Sequence, residues 1–242
     1  RKLRETLAGV EVVYHLAAKV TTPLADLEAH SFDQINHWGT AQVAYAAEQT
    51  GVKHLIYLSS TSVYGDYDTP VDEQAAAHPR SYYGMAKLAG EGQVLRLRDQ
   101  MRVHVIRSAN VYGYNPAYRI DAVINRFVFE AHFQGRVTIH GSGEQERSFI
   151  HVDKLAAVLR QLLNHEPGSQ SIYNLAEHQL SINEVVAHIR QLYPELETIF
   201  LNPGMPRRNI RIQRPVALLQ ELKIPTIALM DELRAFQQVF SF

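Results

Sequence analysis

The chain has no cysteine, a single tryptophan, no excess of either charge sign and no long apolar run among its 242 residues. Without cysteine there can be no disulfide staple, no thiolate zinc site and no thiol nucleophile. Lys plus Arg number 24 against 25 Asp plus Glu, a formal charge of −1. That balance excludes the electropositive footprint of a nucleic-acid-coating protein or a polybasic membrane binder. No segment approaches the ~18 consecutive apolar residues that cross a bilayer. Twelve histidines are present, yet none forms a His-Glu-x-x-His helix or a compact ligand run, so no metal is expected. His151 and Asp153, two apart at a helix entrance, read as partners for backbone groups. An initiating methionine is also missing: the chain opens Arg1-Lys2-Leu3-Arg4 directly before an apolar strand.

What is present is an ordinary globular composition, 46% hydrophobic and 20% charged, enough to bury a sizeable core. Short β-rich runs alternate with longer helical stretches, the signature of βαβ units and a doubly wound parallel-sheet α/β fold. Val10–Leu16, Lys53–Ser59 and Arg102–Arg107 are near-continuous apolar segments, as strands buried on both faces require. Between the first two, Leu27–Thr50 carries apolar residues at helical spacing and ends at Gly51, a C-cap. Further helices are expected over Ser81–Arg98, Ala122–Phe133 and Val152–Asn164, with strands at Arg136–His140 and Ser171–Leu175. Ser181 with Glu184 three residues on is a capping box, and Pro225 separates two short terminal helices. No linker or repeat interrupts the chain.

Tyr83 and Lys87 stand at i and i+4 on the second long helix and so project from one face, one turn apart. A phenol with an ordinary pKa near ~10 is a poor base at neutral pH; an ammonium beside it stabilises the phenolate and brings it toward the working range. Such pairs also arise on helices that do no chemistry. Upstream, Leu58-Ser59-Ser60-Thr61-Ser62-Val63-Tyr64-Gly65 follows a buried strand, placing hydroxyls at the carboxyl end of a parallel sheet, where open α/β folds bind ligands. Ser59, Thr61 and Ser62 read as turn hydroxyls that bond their own backbone.

Six motifs in sequence carry a resemblance: His15-Leu16-Ala17-Ala18, Asn36-His37-Trp38-Gly39-Thr40, Ser59 to Gly65, Pro79-Arg80-Ser81-Tyr82-Tyr83-Gly84-Met85-Ala86-Lys87, Arg107-Ser108-Ala109-Asn110-Val111-Tyr112-Gly113, and Arg147-Ser148-Phe149-Ile150-His151-Val152-Asp153. Between Val10 and Leu175 the chain resembles an extended short-chain dehydrogenase/reductase of the NAD-dependent epimerase/dehydratase family, most like its UDP-glucose 4-epimerase-type nucleotide-sugar enzymes. The resemblance implies a Rossmann-type NAD(P)-binding domain over residues 1–115, here without its start, and a smaller α/β substrate-binding lobe over 116–242 interleaved with the end of the sheet. It implies Ser60 as the hydroxyl that orients the reacting oxygen, Tyr83 as acid/base, and Lys87 as the residue that tunes Tyr83 and holds the cofactor ribose. Leu16, Ala17, Ala18, Lys19, Asn36 and Ala109 fall at cofactor-lining positions. Asn110, Arg147 and, from the basic run Arg207, Arg208, Arg211 and Arg214, Arg207 fall at positions facing a nucleotide-sugar diphosphate. Asn36 also fits a structural amide inside a helix, Arg147 a surface ion pair, and the basic run a solvated face. The stretch Asn209-Ile210-Arg211-Ile212 departs from the family pattern.

The cofactor implied is NAD, with NADP open because the residue that reads the ribose lies outside the matched motifs. Helices 27–50 and 81–98 resemble the pair that joins relatives into homodimers, and the family implies a cytoplasmic setting with neither nucleic-acid nor membrane partner. Thr61-Ser62 stands where dehydratases of the family carry an acidic pair, which favours epimerisation; a reductase or dehydrogenase on the same residues is the enzymatic rival. No Gly-x-x-Gly-x-x-Gly turn joins a strand to a helix: Gly39, Gly51, Gly84, Gly90 and Gly92 lie elsewhere. Two βα units of about 30 residues each would precede His15 in the family. A complete chain of this length would be a degenerate scaffold; a trimmed one keeps the enzyme reading for its parent, and the absent methionine favours trimming.

Overall fold

The structure, a computed structural model, describes residues 2–20, 29–117, 119–202 and 209–240. The chain divides into two compact units, the first formed by residues up to 66, 72–108 and 159–174, the second by 67–71, 109–158 and 175 onward. Residues 109–115 lie in the second unit, and residues 159–174 return to the first. No described helix is long and apolar enough to cross a membrane.

In the first unit α1 (Lys2–Leu7) precedes β1 (Val12–His15). The long helix after β1 is three pieces: α2 (Ala29–Phe32), a π-helical turn (Asp33–Trp38) and α3 (Gly39–Thr50), which ends on Gly51 at φ +71°. Next come β2 (His54–Ser60), a 3-10 turn at Thr61–Val63, α4 (Tyr82–Leu95) and β3 (Arg102–Ser108). The sheet order is β1-β2-β3-β7, where β7 is Ile172–Leu175, and β1–β2 and β2–β3 are parallel. Leu55, Tyr57, Val103 and Val105 pack with Ala44, Val94 and Leu97 beneath the helices.

β2 and β3 also bury polar groups that a continuous apolar run conceals. His54 Nε2 and His104 Nδ1 are 2.8 Å apart, and His104 Nε2 and His165 Nδ1 are 3.0 Å apart, a chain of imidazoles. Burial, with the charge of Arg102, pulls His54 down to about 4, and burial with neighbouring imidazoles pulls His104 to about 3. Burial and Lys87 bring His15 to about 4. All three therefore titrate lower in the fold than in the unfolded chain, where they sit near ~6.5. The unfolded chain binds more protons below that value, so stability is full above pH ~6.5 and falls as pH drops toward about 4. Each imidazole contributes up to about 1.4 kcal/mol per pH unit. Urea midpoints should decline across this window; a flat midpoint would contradict the burial of neutral imidazoles.

The second unit holds β4 (Asn110–Tyr112), α5 (Val123–Gln134), β5 (Arg136–His140), β6 (Glu146–His151), α6 (Val152–Gln161), β8 (His178–Ser181), α7 (Ile182–Arg190), β9 (Glu197–Leu201), α8 (Ala217–Glu221) and α9 (Leu229–Val239). β4 pairs parallel with β6, β6 antiparallel with β8, and β5 parallel with β9. α5, α7 and α9 close over Tyr112, Phe127, Phe149, Val185 and Leu233. The Ser181–Glu184 capping box starts α7. His151 Nδ1 accepts the Asp153 amide N–H at 3.2 Å.

A buried ion cluster, absent from the sequence-based expectations, ties this unit together. Lys154 Nζ donates to Glu177 and, at 2.6 Å, to Glu232, whose other oxygen takes the Tyr112 hydroxyl. Glu177, His178 and Glu232 lie close enough to share a cation, and the Lys154 ammonium occupies that role. Burial would raise Glu232, but hydrogen bonds from His178, Lys154 and Tyr112 hold it at about 2.

Candidate active site

β2 and β3 end together, Ser60 level with Ser108, and β1 ends three residues earlier, His15 level with Tyr57. The segments that leave β1 and β2 therefore emerge on one carboxyl edge, the ligand edge of a parallel sheet. Leu16 and Ala17 are exposed there. Just beyond, buried Asn36 holds the backbone of Lys19 from both sides, accepting its N–H at 2.8 Å and donating to its carbonyl at 2.7 Å. The π-helical turn supplies this amide, and a widened turn of this kind is a recurrent feature of functional sites. Lys19 Nζ donates to Ser31 and lies 5.4 Å from the centre of the Phe32 ring.

Ser60, in extended backbone, caps the 3-10 turn: its Oγ accepts the Ser62 amide N–H at 3.2 Å and donates to Ser62 Oγ at 3.0 Å. Ser59 instead donates to buried Glu91 at 2.6 Å. α4 starts on Ser81, whose Oγ accepts from the Gly84 amide. Gly84 is obligatory, because a Cβ there would lie 2.6 Å from the Ser62 carbonyl oxygen. That close approach seats the Tyr83 end of α4 on the turn headed by Ser60.

Tyr83 is half-buried, edge-on to Phe32 with centroids 6.2 Å apart. Lys87 is only 3% exposed. Its Nζ donates to the Leu58 carbonyl at 2.7 Å and lies 4.8 Å over the Tyr57 ring. Burial lowers its pKa to about 8, with Glu91 pulling the other way. The result is an ammonium pinned against the end of β2, one helical turn from a phenol, still charged at neutral pH.

In the second unit, Asn110 and Arg147 line one cleft of about 210 Å³ together with Arg126, His140 and Phe127. Asn110 Nδ2 donates to the Ser148 carbonyl at 3.1 Å and Arg147 to the Glu146 carbonyl at 2.9 Å. Ala109, at the start of this unit, is buried and donates its N–H to Leu175. Nothing in the sequence marks Arg126, because a lone arginine on an apolar helix reads as a solvated residue. Its guanidinium bonds the Thr138 carbonyl at 3.0 Å and gives the cleft a second cationic fork. Arg207 and Arg208 lie outside the described residues, whereas Arg211 pairs with Glu146 at 3.2 Å.

A parallel sheet with a Tyr-x-x-x-Lys helix packed at its carboxyl edge defines a Rossmann-type α/β protein. The chain belongs to the NAD dependent epimerase/dehydratase family, whose match runs over residues 1–176. A mouse dTDP-D-glucose 4,6-dehydratase is 32% identical over 199 residues, covering 80% of this chain and 55% of that protein. A UDP-glucose 4-epimerase of Mycolicibacterium smegmatis (strain ATCC 700084 / mc(2)155) is 34% identical over 149 residues, 59% of this chain and 47% of its own length. The structure of a UDP-glucuronic acid 4-epimerase from Bacillus cereus, in complex with UDP-glucuronic acid and NAD, superposes with a TM-score of 0.85 at 25% identity, covering 98% of this chain and 77% of that one. The chain spans about half the length of the curated relatives it matches.

Proposed function

We propose that this chain is the catalytic body of an NAD-dependent nucleotide-sugar epimerase of the UDP-hexose 4-epimerase type. The observation that carries the reading is the Lys87 ammonium, buried, bonded to the Leu58 carbonyl and one helical turn from Tyr83. Nothing so costly to bury is needed for a solvated helix face.

The residues present fit the nicotinamide-ribose half of a dinucleotide. Leu16 and Ala17 offer open backbone at the sheet edge, the Asn36–Lys19 clamp fixes that loop, and Lys87 supplies a cation for ribose hydroxyls. NAD, when bound, supplies the redox chemistry by which a sugar carbon is oxidised and then reduced again. Tyr83 takes the proton of the C4 hydroxyl as the keto sugar forms and returns it once the other face has been reduced. Lys87 stabilises the phenolate between those two events. Ser60 Oγ, held by Ser62, orients the reacting oxygen. Asn110, Arg147 and Arg126 give the second-unit cleft planar donors, the two arginines charged, that suit a diphosphate. On the helical segment from Ala29 to Thr50 and on α4, Ile35, Trp38, Tyr45, Tyr82 and Met85 are exposed apolar side chains. They support a homodimer through those helices, to be read as molar mass in solution.

A 4,6-dehydratase is the second reading, favoured by the mouse relative. Loss of water needs an acid and a base besides Tyr83, and the turn after Ser60 offers Thr61 and Ser62, neither of them a carboxyl. Incubating the natural full-length protein with NAD and UDP-glucose, and identifying the product by mass and NMR, separates the outcomes. Epimerisation leaves the mass unchanged and inverts C4. A product lighter by one water establishes the dehydratase, and no turnover with any nucleotide sugar leaves a non-catalytic scaffold.

A further inference from the structure

An ammonium in the dry position of Lys87 is driven toward its neutral form unless its surroundings compensate. The titratable and charged groups around it come from three elements. On α4 itself are Tyr83, one turn before, and Glu91, one turn after; β2 contributes Tyr57 and β1 contributes His15. Glu91 is spent elsewhere, accepting from Arg107 at 3.0 and 2.8 Å and from Ser59 at 2.6 Å. His15 is kept neutral by burial and is bonded through Nε2 to Thr40 at 2.9 Å. In direct contact with Nζ are the Leu58 carbonyl and the face of the Tyr57 ring, whose centre lies 4.8 Å away.

That ring is held as few side chains are. Tyr57 is fully buried, and His15 stacks on it with centroids 5.4 Å apart and planes inclined by 24°. At its tip, a Cβ on Gly90 would come within 2.6 Å of the hydroxyl, so α4 lies close against it. Burial pushes the Tyr57 phenol up, so it stays protonated and offers Lys87 a π face, not a charge. Aromatic faces attract cations most strongly where both partners are desolvated.

We propose that Tyr57 is a positioning residue: the face of its ring, a ring on which His15 also stacks, keeps Lys87 charged and fixed beside Tyr83, and so sets the pH range over which Tyr83 exchanges its proton. The inference rests on the reading of Tyr83 and Lys87 given above, but its test need not. Tyr57→Phe keeps the ring face, while Tyr57→pentafluorophenylalanine keeps nearly the same shape and reverses the sign of the face. With lysine 13C-labelled at Cε, the Lys87 resonance, identified by its loss in Lys87→Met, reports its protonation in the chain without any turnover.

Tyr57→Phe should titrate as the parent does. The pentafluoro variant should titrate about one pH unit lower, and in the full-length enzyme the alkaline limb of the kcat profile should move down with it. A singly fluorinated ring carries the same test in a smaller step if the fully fluorinated chain does not fold. Equal midpoints for Phe and its fluorinated forms would overturn the role of Tyr57, as would a shifted midpoint that leaves the kcat limb in place in an active enzyme. Absence of turnover overturns the epimerase reading alone, because the Lys87 titration still decides whether the ring holds the charge.

Discussion

Tyr83→Phe should lower turnover by about 10²- to 10⁴-fold, the usual worth of a positioned acid/base, while nucleotide-sugar affinity changes by less than about twofold. The substitution removes one hydroxyl and keeps the ring, so the edge contact with Phe32 at 6.2 Å survives. Gly84 still rests on the Ser62 carbonyl, and Lys87 keeps its bond to Leu58. An effect on kcat with little change in binding is the mark of a group that acts mainly in the transition state. Steady-state kinetics together with calorimetric titration of the inactive variant would check this. A variant that retains full rate would remove Tyr83 from the mechanism.

Arg107→Met should destabilise the first unit by about 3–5 kcal/mol, the usual cost of stranding one partner of a buried ion pair. The Arg107 and Glu91 side chains are 5% and 2% exposed and join β3 to α4 through two hydrogen bonds. The guanidinium also lies 4.8 Å over the Tyr64 ring, whose hydroxyl bonds Asn174 at 2.8 Å. Without Arg107, Glu91 keeps only Ser59 as a neutral donor. The double variant Arg107→Met with Glu91→Met should recover most of the loss, because two apolar groups need no partner. Urea unfolding of the two single variants and the double variant gives the coupling directly. A single-variant cost below about 1 kcal/mol would show that water reaches Glu91.

Where the sequence was readable, local rules and burial agreed. The apolar runs at Lys53–Ser59 and Arg102–Arg107 are β2 and β3 within a residue, and Gly51 and Ser181 sit at the helix ends their chemistry requires. Tyr83 and Lys87 fall on one helical face because the i,i+4 spacing allows nothing else. What stayed hidden depends on partners distant in the chain. Arg107 sits inside an apolar run, and only the fold shows Glu91 on α4 waiting for it. Lys154 meets Glu177 and Glu232, 23 and 78 residues away. A period of 3.6 residues does not register the widened turn at Asp33–Trp38, so Leu27–Thr50 reads as one helix, and Asn36 as an interior amide or a cofactor contact. Its side chain in fact clamps Lys19 from within that turn. The helix expected to reach Asn164 changes to a 3-10 turn after Gln161, and α1, six residues long, is too short to show a helical period beside the strand that follows it.

Under the epimerase reading, a sugar carbon is oxidised reversibly and receives back the same hydrogen that was removed. It is tested most directly with UDP-galactose deuterated at C4, incubated with the natural full-length protein and NAD in ordinary water. The expected product is UDP-glucose that retains the deuterium at C4, with no solvent hydrogen incorporated there. Loss of the label to solvent, or a labelled substrate recovered unchanged, would contradict it.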